Sequence, residues 1–365
     1  MPVALHGDSL VLEFPELHPD AALHVTFQRT LRVPDDAARY GLPPGLGHFP
    51  LRAVDELRRD ALPESWLRRG GVALPMWQAE ACWLSFSSPS GYPFALKVAA
   101  GKVNAVNGAA WTNELDAADQ DYVEIPGQPW LDGFCVEKGV VRQFVAMPLG
   151  EGYTAEEQVT GKAEHGGIQL LARPIKAEIW REREEARRQE AERRRTAWAK
   201  MAGGVARMAA SVPAAAAIPA DAFCASPRLD MGLAPGGSIT QEIAKLREKP
   251  DSWDLTQRAR CFVHIANSEA WAAMTGHRPP TRPPSAADYA RAGLPWVRMV
   301  CRPPGQDRLR HPGRAEIGGG ARCRKTRDTA ARERILRPAR ARPARSSRRP
   351  RQATGRELVT RERAA

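Results

Sequence analysis

The residues best suited to chemistry in this sequence lie in its first half, interleaved with aromatic side chains. "WQAEACW" brings Trp77, Gln78, Glu80 and Trp83 close together, and "QPWLDG" supplies Trp130 and Asp132. "KVAAGKVNAVNG" offers Lys97, Lys102, Asn104 and Asn107, and "VRQF" adds Arg142 and Gln143. "GEGYTAEEQVTG" contributes Tyr153, Glu156 and Gln158 on a glycine-rich connection. If these segments are strands, Lys102 and Asn104 share a face. Polar groups between aromatic walls are the usual makeup of a ligand site. The expected binding set is therefore Trp77, Glu80, Lys102, Asn104, Trp130, Asp132, Arg142 and Tyr153. The alternative is a hydrolase that uses Asp132, Glu156 or His264 as acid or base.

Other motifs carry less. Cys261 and His264 form C-x-x-H, half of a zinc site, and no second half follows. The apolar, alternating setting "CFVHIAN" fits a hydrogen-bonded core histidine better. Cys135 with His165 or His264 would make a thiol-imidazole pair only if the fold joined them. The irregular run of His6, Asp8, His18, Asp20 and His24 reads as solvated loop. "MGLAPGGSIT" lacks the spacing of a phosphate-binding loop, so Gly232, Gly236 and Gly237 read as a tight turn needing positive φ. No metal or cofactor is expected.

The elements that must position these residues fall into blocks. Over 1–174, "SLVLEF", "LHVTFQRTLRV", "CWLSFSS", "FALKVAAGKVNAV", "GVVRQFVAMPL" and "GGIQLLARP" are short apolar or alternating runs. Clusters of Gly, Pro, Asn and Asp separate them, which predicts antiparallel strands and turns. A helix is predicted over 51–69, where Leu51, Val54, Leu57 and Leu62 fall roughly on one face. Residues 175–225 are a helix with interleaved charges, then an Ala/Gly/Pro linker. Residues 226–296 regain globular character: a strand runs into a helix that stops at Gly276, and Ser285 caps a short helix. The expected fold is α+β: an antiparallel β-sandwich or β-roll core, a long charged helix insertion, and a smaller α/β piece at 226–296 packing on it.

Several of these stretches resemble a family of uncharacterised, mostly bacterial proteins with no assigned activity. The matching segments include "YGLPPGLGHFPL", "GGVALPMWQAEACWLSF", "LKVAAGKVNAVNG" and "QPWLDG". They continue with "VRQFVAMPLGEGYTAEEQVTGKAEHGGIQL", "MGLAPGG", "RCFVHIANSEAWAAMTG" and "YARAGLPW". The resemblance spans roughly 20–174 and 226–296, and implies that these two stretches belong to one design. It brings no mechanism.

The chain carries a formal charge of +12, but residues 301–365 hold 20 Lys and Arg against 6 Asp and Glu, which leaves the rest at −2. A basic tail suggests nucleic acid. This one has nineteen Arg to one Lys and no Phe, Tyr or Trp to stack on bases. The family pattern continues past Leu-Pro-Trp with aromatic and acidic residues, whereas this chain does not. Reading Val297–Cys301 as GTN-CGN-ATG-GTN-TGY and dropping the first base gives TNC-GNA-TGG-TNT. That frame encodes Trp third and permits Phe-Glu-Trp-Tyr. The expectation is that 297–365 is either a disordered Arg-rich tail or a frameshift product. Nucleic acid is a partner only if the tail is native.

Scattered cysteines, an opening without a secretory h-region and the lack of a long apolar run predict a cytoplasmic protein without membrane contact. The function expected is a ligand- or partner-binding module without catalysis. Its partner is an unidentified protein or small molecule.

Overall fold

The computed structural model describes residues 3–201, 230–295, 308–311 and 314–318. The predicted Ala/Gly/Pro linker from 202 and nearly all of the Arg-rich tail lie outside the described residues.

The chain opens with three antiparallel strands, β1 (Val3–His6), β2 (Ser9–Glu13) and β3 (Ala22–Thr30). Short strands β4 (Arg39–Tyr40), β5 (Gly45–His48) and β6 (Arg52–Ala53) follow, then α1 (Glu64–Arg69) and β7 (Val72–Pro75). Of the helix predicted over 51–69, only Glu64–Arg69 is α-helical, and Val54–Glu56 and Arg59–Ala61 form isolated 3-10 turns. Arg52 and Ala53 pair instead with Ala73 and Val72 of β7, and Pro63 is the N-cap of α1, so regular helix begins only after it.

The sheet continues through β8 (Ala81–Ser87), β9 (Phe94–Ala100), β10 (Val103–Asn104), β11 (Val123–Ile125), β12 (Trp130–Leu131), β13 (Gly133–Glu137) and β14 (Val140–Pro148). After α2 (Ala155–Thr160) come β15 (Ile168–Pro174) and α3 (Ala177–Met201). Beyond residue 229 lie β16 (Asp230–Thr240), β17 (Ala259–Ala266), α4 (Ser268–Thr275) and α5 (Ala286–Arg291). Asn267 caps α4, which ends at the left-handed Gly276, and Ser285 caps α5 as its spacing predicts.

Strands β1–β17 form one predominantly antiparallel sheet, and Arg308–His311 and Arg314–Gly318 of the tail pair as a separate two-stranded antiparallel sheet. β3 pairs with β8, and β8 with both β12 and β14. β14 pairs with β16, β16 with β17, β17 with β15, and β15 with β9. The two strands beyond residue 229 therefore sit between β14 and β15. β7 joins β17, and β4 joins β16, in parallel. No helix of the described residues is long and apolar enough to cross a membrane.

β3 alternates in burial as its sequence does. Leu23, Val25 and Phe27 are fully buried, while His24, Thr26 and Gln28 are half-buried on the other face. The inner residues of β2, β3 and β8 share a single core with Leu96 and Val98 of β9, Ile168 and Leu170 of β15, and Val263 and Ile265 of β17. Each such side chain contributes about 1.5–3 kcal/mol by leaving water. The reverse face of β9–β15–β17 holds buried polar groups, Lys97, Gln169, Arg173 and His264, among apolar ones. There Lys97 donates to Asp121 Oδ2 (2.5 Å), Thr112 Oγ1 (3.0 Å) and the Glu114 carbonyl.

β16 corrects the reading of its glycines. None of the three has positive φ, and the segment is a strand along β14 whose register shifts between Phe144–Pro235 and Arg142–Ser238, where Gly236 and Gly237 lie. Small size is what the positions require. A Cβ on Gly237 would lie 2.2 Å from the Pro34 carbonyl oxygen, and one on Gly236 would lie 2.5 Å from Val145 Cγ2.

Candidate functional site

Glu156 is the second residue of α2. The helix begins with a capping box in which Thr154 and Glu157 satisfy each other's backbone N–H groups. It ends at Gly161 in the left-handed conformation. The chain then folds back so that residues 164–166 wrap the Glu156 carboxylate. Glu164 N–H (3.1 Å), His165 N–H (2.9 Å) and Gly166 N–H (2.8 Å) all donate to it. The His165 ring adds Nδ1–H at 2.9 Å. Burial pushes the Glu156 pKa up, but these four donors outweigh it and hold the group below the ordinary range.

Arg69, in the last turn of α1, clamps the same loop from its carbonyl side. Its guanidinium donates to His165 O and Glu164 O, both at 3.1 Å, and lies over the Phe262 ring at 5.5 Å. His165 is thereby fixed at ring, N–H and C=O. With Nδ1–H given to the carboxylate, the neutral ring carries its lone pair on Nε2. Nε2 has no partner among the described residues, and the side chain is 23% exposed.

The β9–β10 turn completes the cluster. Gly101 and Lys102 both have positive φ, +56° and +62°, the pattern of a two-residue type I′ hairpin. A Cβ on Gly101 would lie 2.4 Å from Glu156 Cβ, so only glycine lets the turn rest on α2. Lys102 has no such excuse, since the left-handed region costs a long side chain roughly 1 kcal/mol. Its backbone N–H donates to Gln169 Oε1 (2.7 Å), and Gln169 Nε2 donates to Gly166 O (2.9 Å), which ties the turn to the His165 loop. The Lys102 ammonium has no hydrogen-bond or ion-pair partner among the described residues. Burial, with Arg260 and Arg69 nearby, lowers its pKa. Glu156, Asp230 and Glu164 oppose these cations, but the charge of Glu156 is already taken up by N–H donors. The arrangement offers an unpaired ammonium in a field of arginines, which suits a small anion, beside an imidazole Nε2 that can accept a hydrogen bond from a protonated oxygen of that anion.

The other predicted residues are not gathered here. Glu80 is buried and ion-paired with Arg29 (2.6 Å), and burial, partly offset by Arg29, pushes its pKa up to about 6. Trp77 donates its N–H to Glu80 Oε2 (3.0 Å) and its indole N–H to Thr281 O (3.2 Å). These two residues anchor the segment before α5. Asn104 is buried and donates to Asp121 O (2.7 Å), so it shapes the loop above β10. It does not share a strand face with Lys102, because Lys102 lies in the turn. Tyr153 packs with Val145 and Met147. Arg142 is 3.4 Å from Ser238 Oγ and 4.0 Å from Asp35, and burial lowers its pKa.

Trp130 is exposed, and its indole N–H donates to Asp132 Oδ2 at 3.3 Å. Asp132 sits at the kink where the strand leaves β8 for β14. Gly133 permits the step, since a Cβ there would lie 1.9 Å from Arg142 O. The Asp132 carboxyl is buried, its Oδ1 has no partner, and burial pushes its pKa up to about 7.

Asp132, Glu156 and His264 do not form one catalytic set. His264 donates Nε2–H to Gly70 O (2.9 Å), stacks on Trp66 at 4.3 Å, and is kept neutral by burial, which lowers its pKa to about 3. It is a satisfied core histidine. Cys261 faces the main core, while His264 faces Trp66 on the other side of β17, so C-x-x-H chelates nothing. Burial pushes the Cys135 thiol up to about 11, which makes it a poor nucleophile. His18, Asp20 and Glu184 lie close together, but the two carboxylates face opposite nitrogens of one ring (3.9 and 3.2 Å), which suits a bridge between α3 and the sheet better than chelation.

Sequence reasoning singled out Lys102 and Glu156 but missed the brace around His165. The paired glycines after it, both with positive φ, were the available signal. Arg69 and Arg260 arrive only through tertiary pairing. Compared with models of protein families, curated proteins and solved structures, the chain matches none.

Proposed function

We propose that this chain is a ligand-binding module without catalysis, and that its ligand is a small molecule bearing a phosphate or carboxylate group. We read its curled sheet as a β-sandwich or β-roll that holds the site on rigid strand ends. The observation that carries the proposal is the pairing of a fully braced His165 with an unpartnered Lys102 held in a left-handed turn. A position that costs stability and leaves a cation unpaired is expected where a ligand supplies the missing partner. Binding is to be measured by titration calorimetry of the full chain with inorganic phosphate, pyrophosphate and citrate. A saturable heat with at least one of them, weakened about tenfold or more in Lys102→Ala and His165→Ala, supports the reading. No heat with any of the three, or unchanged affinity in both variants, sinks it.

The Glu156–His165 pair favours a second reading, a hydrolase in which Nε2 takes a proton from water. Release of inorganic phosphate from phosphate esters by the wild type, lost in His165→Ala, would establish it over simple binding.

A further inference from the structure

A second surface lies on the opposite side of the sheet from the main core. The β3–β8 register pairs Gln28 with Trp83 and Thr26 with Ser85, the β8–β12 register pairs Ser85 with Trp130, and the β3–β5 register pairs Gln28 with His48. These six side chains therefore share one face, opposite to Phe27 and Leu84, and each is half-buried or exposed.

Three polar atoms here lack partners among the described residues. Gln28 uses its amide N–H groups on Thr26 Oγ1 (2.9 Å) and His48 Nδ1 (3.0 Å), which leaves Oε1 open. Trp83 Nε1–H and Asp132 Oδ1 are buried and unpaired. An unmet buried donor or acceptor costs roughly 1–3 kcal/mol. The Asp132 carboxyl lies on the Trp130 side of the strand, because its other oxygen holds that indole. A ring held by one 3.3 Å bond can tilt, and a ligand hydroxyl reaching Oδ1 would supply the donor that the fold lacks.

Among the described residues, none of the side chains that form this face is Lys or Arg. Phosphate-bearing ligands and nucleic acids need cations to replace released counterions. Exposed indole instead packs against flat C–H surfaces, and amides and hydroxyls beside it pair with hydroxyl groups. We propose that the Trp130–Trp83 face binds a neutral saccharide, with Trp130 as the stacking platform and Asp132 as the residue that positions it. This site is independent of the His165 cluster.

The test is tryptophan fluorescence titration and affinity electrophoresis of the full chain against neutral glucans, mannans and xylans. The expected result is saturable binding to at least one, insensitive to 0.5 M NaCl (roughly a 4 Å Debye length). It should weaken at least tenfold in Trp130→Ala, a few-fold in Gln28→Ala, and not at all in Lys102→Ala. Trp130→Phe, which keeps an aromatic platform, should bind measurably and guards against a folding defect. Absence of binding to every neutral glycan overturns the proposal, as does wild-type affinity in Trp130→Ala. Salt-sensitive binding to oligothymidylate alone would also overturn it, by showing that the face stacks bases.

Discussion

Glu156 and Asp132 are both carboxyls hidden from solvent, at 2% and 1% exposure, yet their pKa values move in opposite directions. The difference is in the donors. Glu156 gathers three backbone N–H groups and an imidazole, so its charged form is better solvated by the protein than burial is costly. Asp132 gathers one indole at 3.3 Å, and burial wins. Depth of burial does not decide the state of a carboxyl. What decides it is whether the local chain has been bent to aim donors at it. The region around Glu156 is accordingly fixed, and the region around Asp132 is unfinished.

The largest effect expected from this contrast is in Glu156→Ala. It removes the acceptor of four donors and should destabilise the fold by roughly 3–5 kcal/mol, seen as a lower urea midpoint. A loss below about 1 kcal/mol would mean that the loop holds itself and the carboxylate is incidental.

Asp132→Asn tests the other side. In the folded chain Asp132 keeps its proton up to about pH 7, whereas the unfolded chain loses it near 3.8. Stability due to this group is therefore complete below about pH 4, falls as pH rises, and levels off above about 7, by roughly 2–4 kcal/mol in all. The Asn variant should lose that slope in denaturation curves taken across the window. Glu156 works with the opposite sign, its contribution present above its unfolded pKa and lost on acidification. An Asn variant with the wild-type slope would place the titration elsewhere.

Lys102→Gly sharpens the comparison by separating stability from function. It relieves the left-handed strain, so the thermal midpoint should hold or rise by up to about 1 kcal/mol equivalent while anion binding falls. A clear destabilisation would show that the lysine side chain is a structural support. The smallest effect belongs to a carboxylate out in solvent. Arg194→Ala breaks an ion pair to Glu190 on α3 whose partners are 80% and 62% exposed. It should change chemical stability by less than about 0.5 kcal/mol.

Much of the strand content was legible because β3 and β8 alternate with period two, and the inner positions are the ones that reach the core. β16 was harder. Its Gly and Pro residues read locally as a turn, but their cause is the approach of Pro34, Val145 and Thr154 from distant segments. Residues 51–69 have a helical apolar period, yet Arg52 and Ala53 are claimed by β7, a partner the local pattern does not announce. At the site, Lys102 and Glu156 stood out by type. Their juxtaposition with Arg69 and Arg260 depends on β17 pairing with β15, and no spacing rule carries that. Trp130 and Asp132 were legible as a pair, being two residues apart on one strand side.

The placement of β16 and β17 between β14 and β15 has a consequence for how the chain is made. When the ribosome has completed β15, the edges of β14 and β15 still lack the strands that will cover them, which lie more than fifty residues downstream. Until residue 266 has emerged, the nascent chain carries open strand edges of the kind that recruit other chains. Closing them joins segments far apart in sequence, which makes the step slow.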